Sequence, residues 1–485
     1  MNHTTMKSTM RAVFLLLTGF GALMVLLWLL VLEEELLEVT IGRSLSPWWG
    51  MPFGAMLLVI ALVPLMAADW WQSNLNKGMV AAGCGAPVLL YFLFAVPGGP
   101  QALVNLVHEY YSFLILLAAL YTISGGIRLD GDLRATPATN TSFLALGGLM
   151  ASFVGTTGAA MLLIRPVLRT NQERRHTRHI FVFFIFIVAN LGGLLTPLGD
   201  PPLFLGFLRG VPFSWTFSLW KEWLLSLALL LAVFYAWDSL AFRKETIADR
   251  IRDAHRLEPL SIRGGVNFIF LLGIIVCLVV FKGHLQWFRE PIMVLLAIAS
   301  YLIDRRHDEK RYARRIIGPS PRTANRFTFH PMIEVGVLFA GIFVTMLPAI
   351  CLLKAHGGEL GVTEPWQFFW LAGGLSSFLD NAPTYVTYFS LAQGLSMDKN
   401  LCGMAGHLGA CVAGTGIPMK ILAALSCGAV MMGANTYIGN APNFMVKSIV
   451  EEARVKMPSF IGYMGYSIGI LIPLFLLLTL IFFRS

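Results

Sequence analysis

Two stretches of the sequence interrupt long apolar runs with glycine, proline and polar residues, and the two stretches match each other. Residues 193–205 read GLLTPLGDPPLFL and residues 433–445 read GANTYIGNAPNFM. Aligned without a gap, they are identical at five positions, and Asp200 stands opposite Asn440. In a bilayer, a broken helix is tolerated only where it is buried in protein or lines a wet cavity. Two such breaks in corresponding halves of a chain indicate the binding site of a transporter.

Two further polar clusters interrupt apolar segments. Residues 155–158 read GTTG at the middle of the segment 141–168, and basic loops lie on both sides of that segment. A single crossing would put one basic loop on the wrong side of the membrane, so we predict a re-entrant hairpin. Residues 380–384 read DNAPT within 366–394, which we predict to be a second hairpin.

The two hairpin tips and two helix breaks of an inverted repeat meet near the membrane midplane. Hydroxyls, amides and unwound carbonyls at these tips are hard oxygen ligands, which suit an alkali cation better than zinc or copper. The N-termini of the half-helices are equally suited to an anion. The predicted ion or substrate site consists of Thr156, Thr157, Thr196, Gly199, Asp200, Asp380, Asn381, Thr384, Asn435, Thr436, Gly439, Asn440 and Asn443.

Asp200 and Asp380 are the acidic residues deepest in the apolar segments. An aspartate at the centre of a membrane helix costs about 2.5–3.5 kcal/mol on insertion scales, so its presence indicates a function. Burial favours the protonated carboxyl and a bound cation favours the ionised one, which is the competition that ion–proton exchange needs. We therefore predict that these two carboxylates bind the transported metal cation. Structural roles as helix caps remain open for both, with Pro201 as the first helical residue after Asp200.

The composition is typical of a membrane protein. Of 485 residues, 56% are hydrophobic and 13% are charged, whereas a soluble domain carries about 25% charged residues. The net charge of +9 is spread over short loops between apolar runs, which is the positive-inside pattern and does not indicate nucleic acid binding. The six cysteines form no C-x-x-C pair, and we predict small buried residues rather than disulfides or metal ligands.

Apolar runs predict an all-α polytopic fold with about eleven transmembrane helices. The predicted spans lie near 12–32, 52–69, 79–97, 104–124, 179–210, 214–237, 265–281, 290–303, 332–353, 415–453 and 459–483. The basic loops then share one side, which predicts a cytoplasmic N-terminus and a multi-pass protein of the cell inner membrane. The predicted domains are an extra N-terminal helix (1–40), a first inverted repeat (41–240), a cytoplasmic linker (241–263) and a second inverted repeat (264–485).

Four other polar residues lie near predicted span ends. We expect Glu109 and Glu334 to anchor their spans at the interface, with a proton relay as the alternative. Lys420 is expected near a helix end, with an ion pair to an aspartate as the alternative. His407 is expected to be structural, with a role as a proton carrier as the alternative.

The polar clusters together resemble the ion transporter superfamily, in its branch of sodium/proton antiporters and citrate-transporter-like proteins. The resemblance covers nearly the whole chain after the first helix and implies a homodimer with a scaffold domain and a transport domain that moves like an elevator. Relatives in the dicarboxylate branch carry Ser-Asn-Thr at both hairpin tips, and this chain departs from that pattern. The motifs that carry the resemblance are GTTGA at 155–159, TPLGDPP at 196–202, DNAPT at 380–384 and GANTYIGNAPN at 433–443.

We therefore expect a secondary transporter that exchanges sodium or lithium ions for protons, with no cofactor and with the lipid bilayer and small cations as its partners. The alternative is a transporter of citrate, dicarboxylates or an arsenite-type anion, in which half-helix N-termini and Lys420 would bind the anion. An enzyme is not expected. The chain lacks the Gly-x-Gly-Asp pattern of membrane aspartyl proteases and the H-E-x-x-H pattern.

Overall fold

The structure is a computed structural model that describes residues 34–485 with several short gaps. The gaps are residues 248, 250–252, 254–256, 282, 314–319, 400, 403–407 and 485. The predicted first span at 12–32 lies outside the described residues, as does His407. The extra N-terminal helix therefore stays a prediction.

Helices make up most of the regular structure, because a helix satisfies its backbone polar groups within its own segment, as a bilayer requires. The helices are α1 (Glu34–Ser44), α2 (Met51–Met66), α3 (Ala68–Trp71), α4 (Asn74–Phe94), α5 (Gly99–Gly125), α6 (Pro137–Val154), α7 (Thr156–Thr170), α8 (Arg178–Ile187), α9 (Pro201–Leu208), α10 (Trp220–Arg243), α11 (Asn267–Val280), α12 (Arg289–Ala313), α13 (Pro321–Ala324), α14 (His330–His356), α15 (Pro365–Ser376), α16 (Asn381–Lys399), α17 (Met419–Met431), α18 (Ala441–Glu452) and α19 (Phe460–Leu478). Helix α12 continues past the predicted span 290–303 into the segment that we expected to be a basic loop.

Seven helical segments within the described ranges are long and apolar enough to cross a bilayer. They are Pro47–Pro64, Asn74–Phe94, Gly99–Gly125, Arg178–Leu195, Phe213–Arg243, His330–Leu360 and Phe460–Phe483. Asn267–Val280 and Met419–Asn435 are shorter apolar helices. The prediction of an all-α, multi-pass membrane protein is confirmed, while the count of about eleven crossings and the domain boundaries stay predictions.

Two short antiparallel strand pairs were not predicted. Strand β1 (Arg128–Asp132) pairs with β2 (Glu258–Arg263), and β3 (Cys411–Val412) pairs with β4 (Ile417–Pro418). The first pair joins the first half of the chain to the end of the predicted linker 241–263. Part of that linker is therefore a strand that is paired with the first half of the chain.

The prediction that all six cysteines are unpaired is wrong for two of them. Cys402 and Cys411 form a disulfide bond, with their Cα atoms 5.4 Å apart. The two cysteines are nine residues apart, and this spacing has no recognised signature in sequence. Cys277, Cys351 and Cys427 are free and buried, as predicted.

Each half of the chain contains a helical hairpin followed by an interrupted helix. Helices α6 and α7 meet at Gly155, whose φ of +80° lies in the left-handed region that favours glycine. Helices α15 and α16 form the corresponding pair in the second half, separated by residues 377–380. The interrupted helices are α8 with α9 and α17 with α18. The hairpins and breaks pack together, while α2, α4, α5, α11, α12 and α14 pack against one another beside them.

A buried polar network anchors the first hairpin to α10. Asp238 is fully buried, and its carboxylate pairs with Arg174 at 2.6 Å. His179 Nε2 lies 2.9 Å from the same carboxylate, and Asn140 Nδ2 donates to it at 3.0 Å. A buried carboxylate with this many partners holds three elements in one arrangement, since the loss of any partner would leave an uncompensated polar group.

Candidate functional site

The two helix breaks have the same backbone conformation. Each begins with a 3₁₀ turn, Leu191–Leu195 in the first break and Met432–Asn435 in the second. Each then extends, with φ −148° and ψ 143° at Asp200 and φ −152° and ψ 137° at Asn440. Proline at the first or second position of the next helix supports the restart, because its missing N–H would have no partner there.

Glycine is required inside both breaks because the backbone crosses itself. A Cβ atom on Gly199 would lie 2.0 Å from the Gly193 carbonyl oxygen. A Cβ atom on Gly439 would lie 2.6 Å from the Gly433 carbonyl oxygen. Gly199 also accepts a backbone hydrogen bond from Thr156 N at 2.8 Å. The two glycines predicted as site residues thus allow the close backbone contact and contribute carbonyl groups rather than side chains.

The threonines at matching positions of the two breaks attach each break to its own hairpin. Thr196 donates its hydroxyl proton to the Ser152 carbonyl, and Thr436 donates to the Ser377 carbonyl at 2.5 Å. Each threonine oxygen also accepts a backbone N–H two residues later, at 3.1 Å and 3.2 Å. Both hydroxyls are therefore engaged in holding the breaks, and Ser152 and Ser377 belong to the same arrangement.

Asp200 lies where the two hairpin tips and the two helix breaks meet, and we call this meeting point the junction. Its side chain is 1% exposed. Oδ1 accepts hydrogen bonds from Thr156 Oγ1 at 2.9 Å and from Asn440 Nδ2 at 3.3 Å, and Oδ2 accepts one from Asn381 Nδ2. These three donors come from the first hairpin, the second break and the second hairpin. The structure thus brings together the four segments that the sequence predicted to converge.

Asp380 lies beside this junction but outside its hydrogen bonds. Its Oδ1 accepts from Ala382 N at 3.1 Å, which is the helix-cap role left open by the sequence. Thr384 donates to the Asp380 carbonyl at 3.1 Å, so this threonine supports the start of α16 instead of facing Asp200. Asp380 is half-buried and near enough to Asp200 for the two charges to interact.

Asn190 is a buried residue of the site that the sequence analysis missed. Its Nδ2 donates to Asn443 Oδ1 at 2.7 Å, and its Oδ1 accepts from Asn440 Nδ2 at 3.2 Å. Asn443 Nδ2 in turn donates to the Gly433 and Thr436 carbonyls, both at 2.9 Å. Asn443 therefore fixes the second break to the first. The signal that was available is a lone amide at the end of the apolar run of α8.

Two amide oxygens at the junction are buried without a hydrogen-bond partner in the described part of the chain. Asn381 Oδ1 is one, because Asn381 must turn its Nδ2 toward the Asp200 carboxylate. Asn435 Oδ1 is the other, because its Nδ2 donates to Ser377 Oγ at 2.9 Å. Buried acceptors without a donor are costly, by about 1–3 kcal/mol each, and they are suited to a cation or a proton donor. The Thr157 hydroxyl is half-buried and makes no hydrogen bond within the described ranges.

Four helix N-termini point toward the junction, those of α7, α9, α16 and α18. Each N-terminus carries roughly half a positive charge, so the four together contribute about two positive charges. The carboxylates of Asp200 and Asp380 carry about the same amount of negative charge when both are ionised, and they offset the positive charge of the helix N-termini. The junction is thus close to electrically balanced before anything binds.

The charged residues Glu109, Glu334 and Lys420 lie away from the junction. Glu109 accepts two hydrogen bonds from Arg209, at 2.7 Å and 2.8 Å, and this pair connects α5 to the end of α9. Glu334 pairs with Lys77 at 2.6 Å. Lys420 is exposed in the first turn of α17, about 18 Å of helix away from the second break, so it does not pair with either aspartate.

A dedicated multi-ligand metal centre is not found among the described residues, where no three His, Cys, Asp or Glu side chains converge. The predicted cation ligand Asp200 has the Thr156 hydroxyl and the side-chain amide nitrogens of Asn381 and Asn440 as its neighbours.

Comparison with known proteins identifies the family. No curated protein matches the chain. A family model described as "Putative citrate transport" matches residues 42–483, which is nearly the whole chain and includes both hairpins and both breaks. The match supports the citrate-transporter-like branch of the predicted resemblance and a transport role in a membrane. The chain belongs to this citrate-transport family.

Proposed function

We propose that the protein is a secondary transporter for citrate or a similar small carboxylate. The observation that carries this proposal is the meeting of two hairpin tips and two helix breaks at Asp200, with four helix N-termini directed at one point. N-terminal helix dipoles and free backbone N–H groups bind carboxylates. The family description supplies the substrate class.

The charge balance of the junction implies that a cation or a proton accompanies the anion. With Asp200 and Asp380 ionised, the two carboxylates offset the roughly two positive charges of the helix ends. A substrate with several negative charges would then enter a site with no excess positive charge. Protonation of an aspartate, or a sodium ion on its oxygens, restores that excess and couples the two species.

Exchange of sodium or lithium for protons without an organic anion is the second candidate function. The observation that favours it is the pair of partnerless amide oxygens beside two membrane-embedded carboxylates. Together these groups provide hard oxygen ligands for an alkali cation. In this case Asp200 and Asp380 would hold the ion and the proton in turn.

An elevator movement and a homodimer are part of the same proposal. The site-bearing hairpins and breaks pack together, and the Glu109–Arg209 pair connects them to α5 of the neighbouring helices. A movement of the site across the membrane would have to break or carry this pair.

Transport in proteoliposomes distinguishes the two functions. Uptake of labelled citrate is measured together with a pH dye while Na⁺, Li⁺, K⁺ and citrate are added in turn. For the carboxylate transporter we expect citrate uptake whose apparent affinity falls in Asp200→Asn, whereas Asp380→Asn still takes up citrate but no longer responds to the cation. For the exchanger, Na⁺ or Li⁺ alone would release protons, and Asp380→Asn would abolish that response.

Asp398→Asn is the matched control, since Asp398 is an exposed aspartate near the far end of the same helix as the second tip. It removes one negative charge about 27 Å along α16 from Asp380. We expect it to transport like the unsubstituted protein. Failure of citrate to accumulate under any cation gradient would overturn the carboxylate proposal.

A further inference from the structure

A strongly basic cavity lies at the far ends of two helices that begin at the junction. It has a volume of about 540 Å³ and is formed by the loop between α7 and α8 and by the segment after α18. Its lining contains no acidic residue and six basic ones: Arg169, Arg174, Arg175, Arg178, Arg454 and Lys456.

Three of these cations form ion pairs with acidic residues that do not line the cavity. Arg169 pairs with Asp130 at 3.2 Å. Arg174 pairs with Asp238 at 2.6 Å, and Arg175 pairs with Asp249 at 3.1 Å. The other three basic residues of the lining have a different status. Within the described residues, Arg178, Arg454 and Lys456 are exposed and form no ion pair. The cavity thus offers an excess of three positive charges.

Arg454 occupies a backbone position that usually belongs to glycine. Its φ is +65°, in the left-handed region. It follows the end of α18, where Arg454 N donates to the Glu451 carbonyl at 2.9 Å and Val455 N donates to the Val450 carbonyl at 3.1 Å. This is the Schellman geometry of a helix C-terminus, in which glycine avoids a steric cost. The chain keeps a strained arginine where a glycine would fit, and the charge is then directed at the cavity.

The position of the cavity corresponds to the level of lipid headgroups. Arg178 is the first residue of one candidate span, and Lys456 stands four residues before Phe460, where another begins. On that second span Ile461 is 81% exposed and Ile468 is 58% exposed. They are seven residues apart and therefore share one helix face. An apolar surface thus runs into the membrane beside the cavity, on the side that the positive-inside rule assigns to the cytoplasm.

We propose that this cavity binds a phosphate-bearing anion at the predicted cytoplasmic surface. The phosphate would be held by Arg178, Arg454 and Lys456, because arginine forks and lysine ammonium groups both bind phosphate. The headgroup of an acidic phospholipid is one source, with its acyl chain along Ile461 and Ile468. A soluble phosphate ester is the other source.

The bound anion would hold together the two helices that supply donors to the junction. Helix α7 begins at Thr156 and α18 begins after Asn440, and both end at the cavity about 20 Å away. The two helices pack on each other. Neutralising the repulsion among the three unpaired cations that line this cavity would favour this packing.

Native mass spectrometry of the purified protein tests the proposal. Retention of phosphatidylglycerol is compared with that of phosphatidylcholine, and glycerol phosphate is added as the soluble competitor. The test variant combines Arg178→Gln, Arg454→Gly and Lys456→Gln. Each surface charge changes binding of an acidic lipid roughly fivefold, so we expect about 100-fold weaker retention of phosphatidylglycerol. A variant with Lys221→Gln, Lys399→Gln and Lys420→Gln removes the same charge elsewhere and should retain the lipid.

The outcomes separate the sources. Loss of phosphatidylglycerol in the test variant without competition by glycerol phosphate identifies the lipid, whereas competition identifies a soluble ester. Equal retention of both lipids by the unsubstituted protein, with no binding of glycerol phosphate, would overturn the proposal. So would equal retention by the test and unsubstituted proteins.

The single substitution Arg454→Gly guards against a variant that simply unfolds. Glycine relieves the left-handed strain at this position, so the thermal stability in detergent should rise or stay unchanged. Retention of the phosphate-bearing ligand should fall about fivefold. Unchanged retention would show that Arg454 does not contact the ligand.

Discussion

Exchanging Asp200 and Asn440 tests whether the junction depends on where its charge lies. The two residues occupy equivalent positions 240 residues apart with nearly the same backbone angles. They are also hydrogen-bonded to each other at 3.3 Å. The double variant Asp200→Asn with Asn440→Asp therefore keeps the composition and the net charge. It moves the carboxylate to the neighbouring position with which Asp200 now forms a hydrogen bond.

The neighbours of the two positions are not equivalent. Position 200 faces three donors, from Thr156, Asn381 and Asn440. Position 440 directs its Nδ2 at oxygen atoms, including the Ala189 carbonyl at 3.1 Å and Asn190 Oδ1 at 3.2 Å. A carboxylate at position 440 would meet these oxygens without a proton between them.

The magnitude follows from the hydrogen bonds that are lost. The single variant Asp200→Asn removes the charge on the acceptor that three donors address, and a hydrogen bond to a charged group contributes about 1.5–3 kcal/mol. That corresponds to a loss of about 10- to 100-fold in the apparent affinity for a substrate that needs the junction intact. The exchanged variant keeps the bond between the two positions but adds two oxygen–oxygen conflicts. It should therefore lose more than the single variant.

Rotation of a neighbouring amide does not relieve the exchanged variant. Turning over Asn190 would present its Nδ2 to position 440. The Asn190 oxygen would then face Asn443 Oδ1 and the Ile185 carbonyl, which now accept from Nδ2 at 2.7 Å and 2.8 Å. The conflict would move and would not disappear.

The assay is initial uptake of labelled citrate by proteoliposomes over a range of citrate concentrations, with thermal unfolding in detergent as the check on folding. We expect the order unsubstituted protein, then Asp200→Asn, then the exchanged variant in falling apparent affinity, with Asp398→Asn unchanged. Recovery of uptake in the exchanged variant to the unsubstituted level would refute the reasoning, because it would show that charge alone matters and the donor set does not.

Three further predictions concern groups outside the junction. Burial and nearby acidic residues raise the pKa of Asp132 to about 6, so the folded protein binds an extra proton and loses stability as the pH rises from about 4 to 6. In thermal unfolding, Asp132→Asn should therefore gain about 1 kcal/mol of stability at pH 8 and less at pH 5. An equal gain at both pH values would contradict this. When intact cells are treated with an alkylating reagent, Cys402 and Cys411 should react only after a reductant is added, since disulfides persist outside the cytoplasm. Alkylation without a reductant would place these two cysteines on the cytoplasmic, reducing side of the membrane. Glu109→Gln and Arg209→Gln should each lower the unfolding temperature. The loss of stability in the double variant should be smaller than the sum of the two single losses by about 1–3 kcal/mol, which is the coupling energy of the pair. Additive losses would show that the pair is not coupled.

The sequence predicted the parts of the site that local chemistry encodes. Glycine at positions 193 and 199, proline after Asp200 and the same spacing near Asn440 mark the breaks, since each residue type has a local backbone role there. The GTTG and DNAPT clusters marked the hairpin tips for the same reason. The all-α membrane fold followed from the length of the apolar runs.

Other features depend on contacts between distant segments, which spacing does not show. Asn190 gained its role from a residue 253 positions later in the chain. The β1–β2 pair and the Cys402–Cys411 bond likewise arise from chain reversal. Thr196 and Thr436 were expected to face an ion, but the structure assigns their hydroxyls to the hairpin backbones. A polar residue in an apolar run therefore indicates a site without telling which of its atoms are free.

The four tips also differ in a way that connects the charge of Asp200 to the second hairpin. Thr156 and Asn381 each begin the second helix of their hairpin, and both donate to Asp200. An ionised carboxylate can accept all three donors that reach it, and Asn381 must then turn its oxygen away, where it has no partner in the described chain.

A protonated Asp200 reverses this preference. The added proton turns one carboxylate oxygen of Asp200 into a donor. We take this oxygen to be Oδ2, because Oδ2 accepts a single hydrogen bond, from Asn381. Asn381 can meet that O–H only with its own Oδ1, by turning its amide over, and the orphaned acceptor then gains a partner. The first hairpin has no such choice, because the Thr156 hydroxyl can both donate and accept without moving. Protonation of Asp200 should therefore turn over the side-chain amide of Asn381 at the start of α16 and leave the Thr156 side chain in place.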